Sequence, residues 1–188
     1  MKVFLVRHPE PVGAAGVCYG RTDLRVDEAV VAAAAERTRA LIGGAVGRCV
    51  SSPLSRCLAL ARALSDAVEV DERLAELDFG AWEGRRWDAL DRAEFDRWAA
   101  DYVNQPTPGG ESWADAQRRV AAFLADLRTG EAGGLTVVTH AGVIRAALAL
   151  VLGIGLEPTW RVDVPFGCVV TLEIGTAGGG DRLAAIAQ

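Results

Sequence analysis

KVFLVRHPEP (residues 2–11) and LTVVTHAGVIR (residues 135–145) decide the fold between them. In each, a short apolar and β-branched run stops abruptly on a histidine, His8 in the first and His140 in the second. A run of this kind without polar alternation reads as a strand buried on both faces, and such strands belong to parallel sheets covered by helices. The second run leads through a turn at residues 140–142 into an apolar helix over 143–152. Working outward, residues 27–42 read as a helix closed by Gly43 and Gly44, 46–51 as a strand, and Pro53 as the first turn of a helix reaching about residue 67. A short strand is expected at 68–70, a loop at 76–84, and amphipathic helices at 87–102 and 112–128, separated by the breaker PTPGG at 106–110. Strands at 168–174 and 182–186, joined by a Gly-rich turn, complete the pattern. The alternation predicts a three-layer α/β/α sandwich with a mostly parallel central sheet, in one domain over residues 1–188.

Composition narrows the function classes. The 188 residues suit one domain, and the 51% hydrophobic and 24% charged content is that of a chain with a packed core. A net charge of −5 argues against binding nucleic acid, which rewards a basic surface. The N-terminal apolar run is too short for a signal or anchor, and the longest later one, 146–154, is about half of the roughly 20 residues that span a bilayer. Cys18, Cys49, Cys57 and Cys168 form no CxxC pair, and only two histidines accompany them. A reduced, cytoplasmic protein without a metal site is therefore expected.

In open α/β sheets ligands bind at the carboxyl ends of the strands. Both histidines stand at such ends, and His8 is preceded by Arg7. Imidazole serves as nucleophile, acid–base group or metal ligand. An adjacent arginine repels a cation and suits an anion, whose oxygens its planar fork binds in pairs. A third strand end leads into SSPLSR (residues 51–56), which places Arg56 at a helix start, itself a favourable setting for an anion.

The motifs LVRHPEP, SSPLSRCLALA, ELDFGAWEG, PGGES and VVTHAGVIR, in this order, resemble the histidine phosphatase superfamily, also called phosphoglycerate mutase-like. GVCYGRTDL (residues 16–24) and ELDFGAWEGRRWD (residues 76–88) are most similar to its α-ribazole phosphatases. The resemblance implies that His8 is a nucleophile that becomes phosphohistidine, with Arg7, Arg56 and His140 around the phosphoryl oxygens. It further implies that Glu76, shielded by Phe79 and Trp82, protonates the leaving oxygen. Tyr19 and Arg21 would bind substrate at the pocket mouth, with Tyr19 stacking on a flat ring. The implied activity is a cofactor-free, metal-independent phosphomonoesterase on a small phosphorylated metabolite, α-ribazole 5′-phosphate of cobalamin assembly in particular. The alternatives are mutase-type phosphoryl transfer and an inactive phosphate-binding member.

The sequence departs from the resemblance at Pro9 and Pro11, where the family has glycine and threonine, so each position loses an N–H donor. Glu111 and Ser112 either meet the substrate or cap the helix beside them. The apolar run 143–154 serves either as a buried helix or as a surface joining two copies of the chain.

Overall fold

A computed structural model describes residues 1–129, 133–175 and 179–188. Six strands, β1 (Lys2–Arg7), β2 (Arg48–Ser51), β3 (Val68–Val70), β4 (Gly134–Thr139), β5 (Val169–Glu173) and β6 (Arg182–Ala187), form one sheet in the order β3-β2-β4-β1-β5-β6. The strands β1 to β4 run parallel, β5 runs against β1, and β6 runs against β5. Five of the six therefore share one direction, as the alternation of elements predicts.

Of the five α-helices, α1 (Glu28–Leu41), α2 (Ser55–Leu64), α3 (Arg92–Ala99), α4 (Trp113–Thr129) and α5 (Ala141–Leu152), all but α3 cover the sheet. The period of two along β1 assigns each helix its face. Val3 and Leu5 point into the larger core with Val120, Phe123 and Leu124 of α4 and Ile144 and Leu148 of α5. Phe4 and Val6 point the other way, onto Ala35 of α1 and Leu60 and Ala61 of α2. Each large side chain buried in this way contributes roughly 1.5–3 kcal/mol relative to exposure. A smaller cluster of Cys18, Trp82 and Leu90 lies outside these two layers, beneath α3.

Several local expectations need correction. The helix expected at 87–102 is a 3₁₀ turn at Trp87–Ala89 followed by the short α3. Asp91 accepts from the Glu94 N–H at 2.8 Å, and this cap starts a new helix where the amphipathic pattern suggests continuity. Helix α5 begins at Ala141, not 143, because His140 itself is the extended flanking residue and Ala141 and Gly142 already form its first turn. Pro53 precedes α2, whose start is capped by Asp23 accepting from the backbone N–H and the hydroxyl of Ser55, both at 2.8 Å. Helix α2 ends at Leu64, and β2 starts only at Arg48 because Gly47 takes the left-handed φ of 62°. The run 143–154 is a core helix, buried from Gly142 to Ile144 and from Ala146 to Ala149, with only Leu152 and Ile154 of its apolar residues well exposed. The Gly-rich turn before β6 lies in part outside the described residues. Among the described residues no helix is long and apolar enough to cross a membrane.

Candidate active site

Register places the site. In the β1·β4 ladder Arg7 pairs with Thr139, so the residues that follow, His8 and His140, leave the sheet side by side. The His8 N–H donates to the Thr139 carbonyl at 2.9 Å, and the two imidazole centroids lie 5.0 Å apart, edge to face. Both rings are almost wholly buried. The Nδ1 of His8 is 2.7 Å from the Pro9 carbonyl oxygen, which accepts only, so Nδ1 carries the proton and Nε2 keeps its lone pair. Proline at position 9 removes an N–H, yet the group that His8 uses is the carbonyl. Burial, then the Arg56 charge, with Arg7 adding to both, holds the His8 pKa down to about 3 against the favourable bond to Pro9. His8 is therefore a neutral base at physiological pH.

Two guanidinium groups flank it. Arg56 is completely buried in the first turn of α2, where it donates to the carbonyls of Thr22 at 2.8 Å and Gly20 at 2.5 Å. Arg7 donates to the Val164 carbonyl at 2.6 Å and lies 3.8 Å above the Phe166 ring, whose other neighbour is His8 at 5.5 Å. The Nε of each has no partner, and neither forms an ion pair with a carboxylate among the described residues. A buried charge without a counter-charge costs about 3–5 kcal/mol. The buried Arg56 and the half-buried Arg7, beside two neutral imidazoles, suit an anion, whose oxygens a guanidinium binds in pairs.

His140 completes the floor. Its Nε2 is 2.7 Å from the Ser52 hydroxyl, and Cys57 Sγ lies 3.4 Å from the same nitrogen while the thiol donates to the Thr139 carbonyl at 3.5 Å. Burial, then His8, then Arg56, hold its pKa well below the ordinary histidine value.

Glu76 faces this cluster from the segment after β3. Its carboxyl group accepts the N–H of Leu77 at 3.0 Å and that of Gly142 at 3.2 Å, so it rests on the first turn of α5. A Cβ on Gly142 would stand 2.2 Å from Glu76 Oε1, so only glycine admits the carboxylate here. Trp82 does not shield Glu76 as expected. It is committed to the third cluster, with Nε1 donating to Glu94 at 3.1 Å and its ring against Phe95 and Trp98.

The remaining expected residues divide. Tyr19 packs its half-buried ring 5.3 Å from the Arg56 guanidinium, inside the site rather than at its mouth, and burial raises its phenol pKa. Arg21 is at the rim, exposed and loosely paired with Asp78 at 3.8 Å and Glu111 at 3.9 Å. Glu111 is engaged with Arg119 at 2.7 Å and with the Asp78 N–H at 3.1 Å, and Ser112 forms a reciprocal cap with Asp115, so these two hold α4. Sequence reasoning missed Glu83, Phe166 and Ser52. Glu83 gathers the N–H groups of Gly20, Arg21, Thr22 and Phe79, together with the Thr22 hydroxyl, and these bonds outweigh burial in holding its carboxyl below the usual range. A long-range carboxylate clamp of this kind leaves no periodic signal in the chain. Among the described residues, no three His, Cys, Asp or Glu side chains come together as a metal site.

Comparison with known proteins adds ancestry to this geometry. The chain is 31% identical over 171 residues to a protein provisionally named phosphoserine phosphatase 2 in Hydrogenobacter thermophilus, covering 87% of this chain and 84% of that one. It is 27% identical to the adenosylcobalamin/α-ribazole phosphatase of Salmonella typhimurium over 93% of this chain and 91% of that one. The structure of the Shigella flexneri α-ribazole phosphatase superposes with a TM-score of 0.87 at 25% identity, covering 99% of this chain and 96% of that one. Residues 3–185, a span that contains the positions described above, match the histidine phosphatase superfamily (branch 1), and the chain belongs to that family.

Proposed function

We propose that this phosphatase hydrolyses phosphomonoesters of small metabolites in two steps through a phosphohistidine on His8. The observation that carries the reading is a neutral imidazole, its Nδ1 held on the Pro9 carbonyl, between the buried guanidinium of Arg56 and the half-buried one of Arg7, neither with a counter-charge among the described residues. In the first step the Nε2 lone pair attacks phosphorus, the N–P bond forms and the ester P–O bond breaks. Arg7, Arg56 and His140 stabilise the charge spread over the transferring oxygens, and a single such donor is worth roughly 10²–10³ in rate. Glu76, entering protonated, gives its proton to the leaving alkoxide. In the second step Glu76 takes a proton from water, the water oxygen attacks phosphorus, and the N–P bond breaks to release phosphate. The positive groups are the chain's own, so the reading requires no metal.

For the ester itself, α-ribazole 5′-phosphate is supported by the full-length likeness to α-ribazole phosphatases. A phosphorylated hydroxy or amino acid is favoured by a different observation, developed below. The four free, buried cysteines suit a reducing compartment such as the cytoplasm. Phosphate release from p-nitrophenyl phosphate, α-ribazole 5′-phosphate, O-phosphoserine and 3-phosphoglycerate, each with and without EDTA, tests the reading. Hydrolysis that survives the chelator is expected. Interconversion of 3- and 2-phosphoglycerate faster than any hydrolysis would make the chain a mutase instead.

A further inference from the structure

Arg145 is the last residue of VVTHAGVIR, and the two-step reaction above makes no use of it. It stands one turn beyond Gly142 on α5, on the face that carries the Glu76 carboxylate. Its Nε is buried without a partner, and its Nη2 reaches the Val162 carbonyl only at 3.4 Å, beyond the usual range. No carboxylate pairs with it among the described residues. The Trp160 ring lies 4.5 Å from the guanidinium and is itself braced by Trp113 at 5.6 Å and Tyr102 at 6.4 Å, yet remains half exposed. Burial, reinforced by the Arg7 charge and offset by Glu76, Asp163 and Cys168, lowers the Arg145 pKa. A guanidinium fixed over an aromatic face, with unfilled donors and a like charge nearby, is prepared for an anion. Its place next to the carboxylate that meets the leaving oxygen puts that anion on the leaving group and not on the transferring phosphate.

We infer that Arg145, backed by Trp160, is a subsite for a carboxylate on the leaving alcohol, so that the preferred esters are phosphorylated hydroxy or amino acids. This rests on the phosphatase reading above. The test is the ratio of kcat/KM for O-phosphoserine to that for O-phosphoethanolamine, two esters that differ only by the carboxylate. A ratio of about 10 to 100 is expected in the wild type, the range for a hydrogen-bonded charge pair. It falls to near 1 in Arg145→Ala and is kept in part by Arg145→Lys. A wild-type ratio near 1, a ratio unchanged in Arg145→Ala, or faster turnover of α-ribazole 5′-phosphate than of O-phosphoserine overturns the subsite and leaves the phosphatase reading intact. Should Arg145→Ala fail to fold, the wild-type ratio and Arg145→Lys decide. The affinities of His8→Ala for the same two compounds, measured by calorimetry, give the ratio without turnover. Discrimination there, combined with a wild-type chain that hydrolyses no ester, would support the subsite and overturn the phosphatase reading.

Discussion

In the proposed reaction His8 and Glu76 divide the work between a nucleophile that must be neutral and an acid that must hold a proton for the leaving group. Burial and the Arg56 charge settle the first requirement by keeping His8 unprotonated. The second separates substrates by the basicity of the alcohol they release. Alkoxides need the proton, whereas aryl oxides leave without it, so Glu76→Gln is expected to slow alkyl phosphates by roughly 10²-fold or more and p-nitrophenyl phosphate by far less. Arg56→Ala acts on the phosphoryl group itself and is expected to depress both classes alike. Parallel kcat/KM measurements check the pair, and equal losses in Glu76→Gln would make that carboxylate a structural group.

The sheet and its loops turn these side chains into a site. The β1·β4 register brings the histidines together, and the turn 20–22 is gripped from both sides, its N–H groups by Glu83 and its carbonyls by Arg56. Gly20 is obligatory in that turn, since a Cβ would stand 1.7 Å from the Leu77 carbonyl. Gly142 has the same role under Glu76, so Gly142→Ala is expected to displace the carboxylate and lower kcat for alkyl phosphates about 10-fold or more. Circular dichroism checks that the fold survives, because alanine is the better helix former. An alkyl phosphate rate within twofold of wild type would show that Glu76 tolerates the intrusion. The strands and both histidines were legible in the sequence because buried parallel strands are continuous apolar runs that end where the ligand edge begins. The α3 boundary was not, because one Asp91 cap overrode an amphipathic pattern that continued through it. Nor were Glu83 and Phe166, which act across more than 60 and 150 residues of chain respectively and carry no local signature.

At the scale of the whole molecule, two guanidinium groups without counter-charges among the described residues and two buried neutral imidazoles leave a thermodynamic signature. The folded His8 pKa of about 3 lies below its ordinary value of 6.5, and that of His140 is lowered in the same direction. Between those limits the unfolded chain binds more protons than the folded one, so stability is full above pH 6.5 and falls as the pH drops toward 3. Each imidazole contributes up to about 1.4 kcal/mol per pH unit in that window. A fall in Tm on the order of 10 °C between pH 7 and pH 5 is expected from calorimetry, reduced in His8→Asn. Inorganic phosphate is expected to raise Tm at pH 7, since it binds the folded chain alone. An unchanged Tm in both experiments would mean that the histidines are solvated and the arginines already neutralised. The central claim, a covalent step on His8, is tested most directly by mixing the chain with a ³²P-labelled phosphomonoester, quenching in alkali and mapping the labelled peptide. The account predicts acid-labile, alkali-stable phosphate on the peptide that contains His8, absent in His8→Ala. Turnover by His8→Ala, or wild-type turnover with no label on His8, would contradict it.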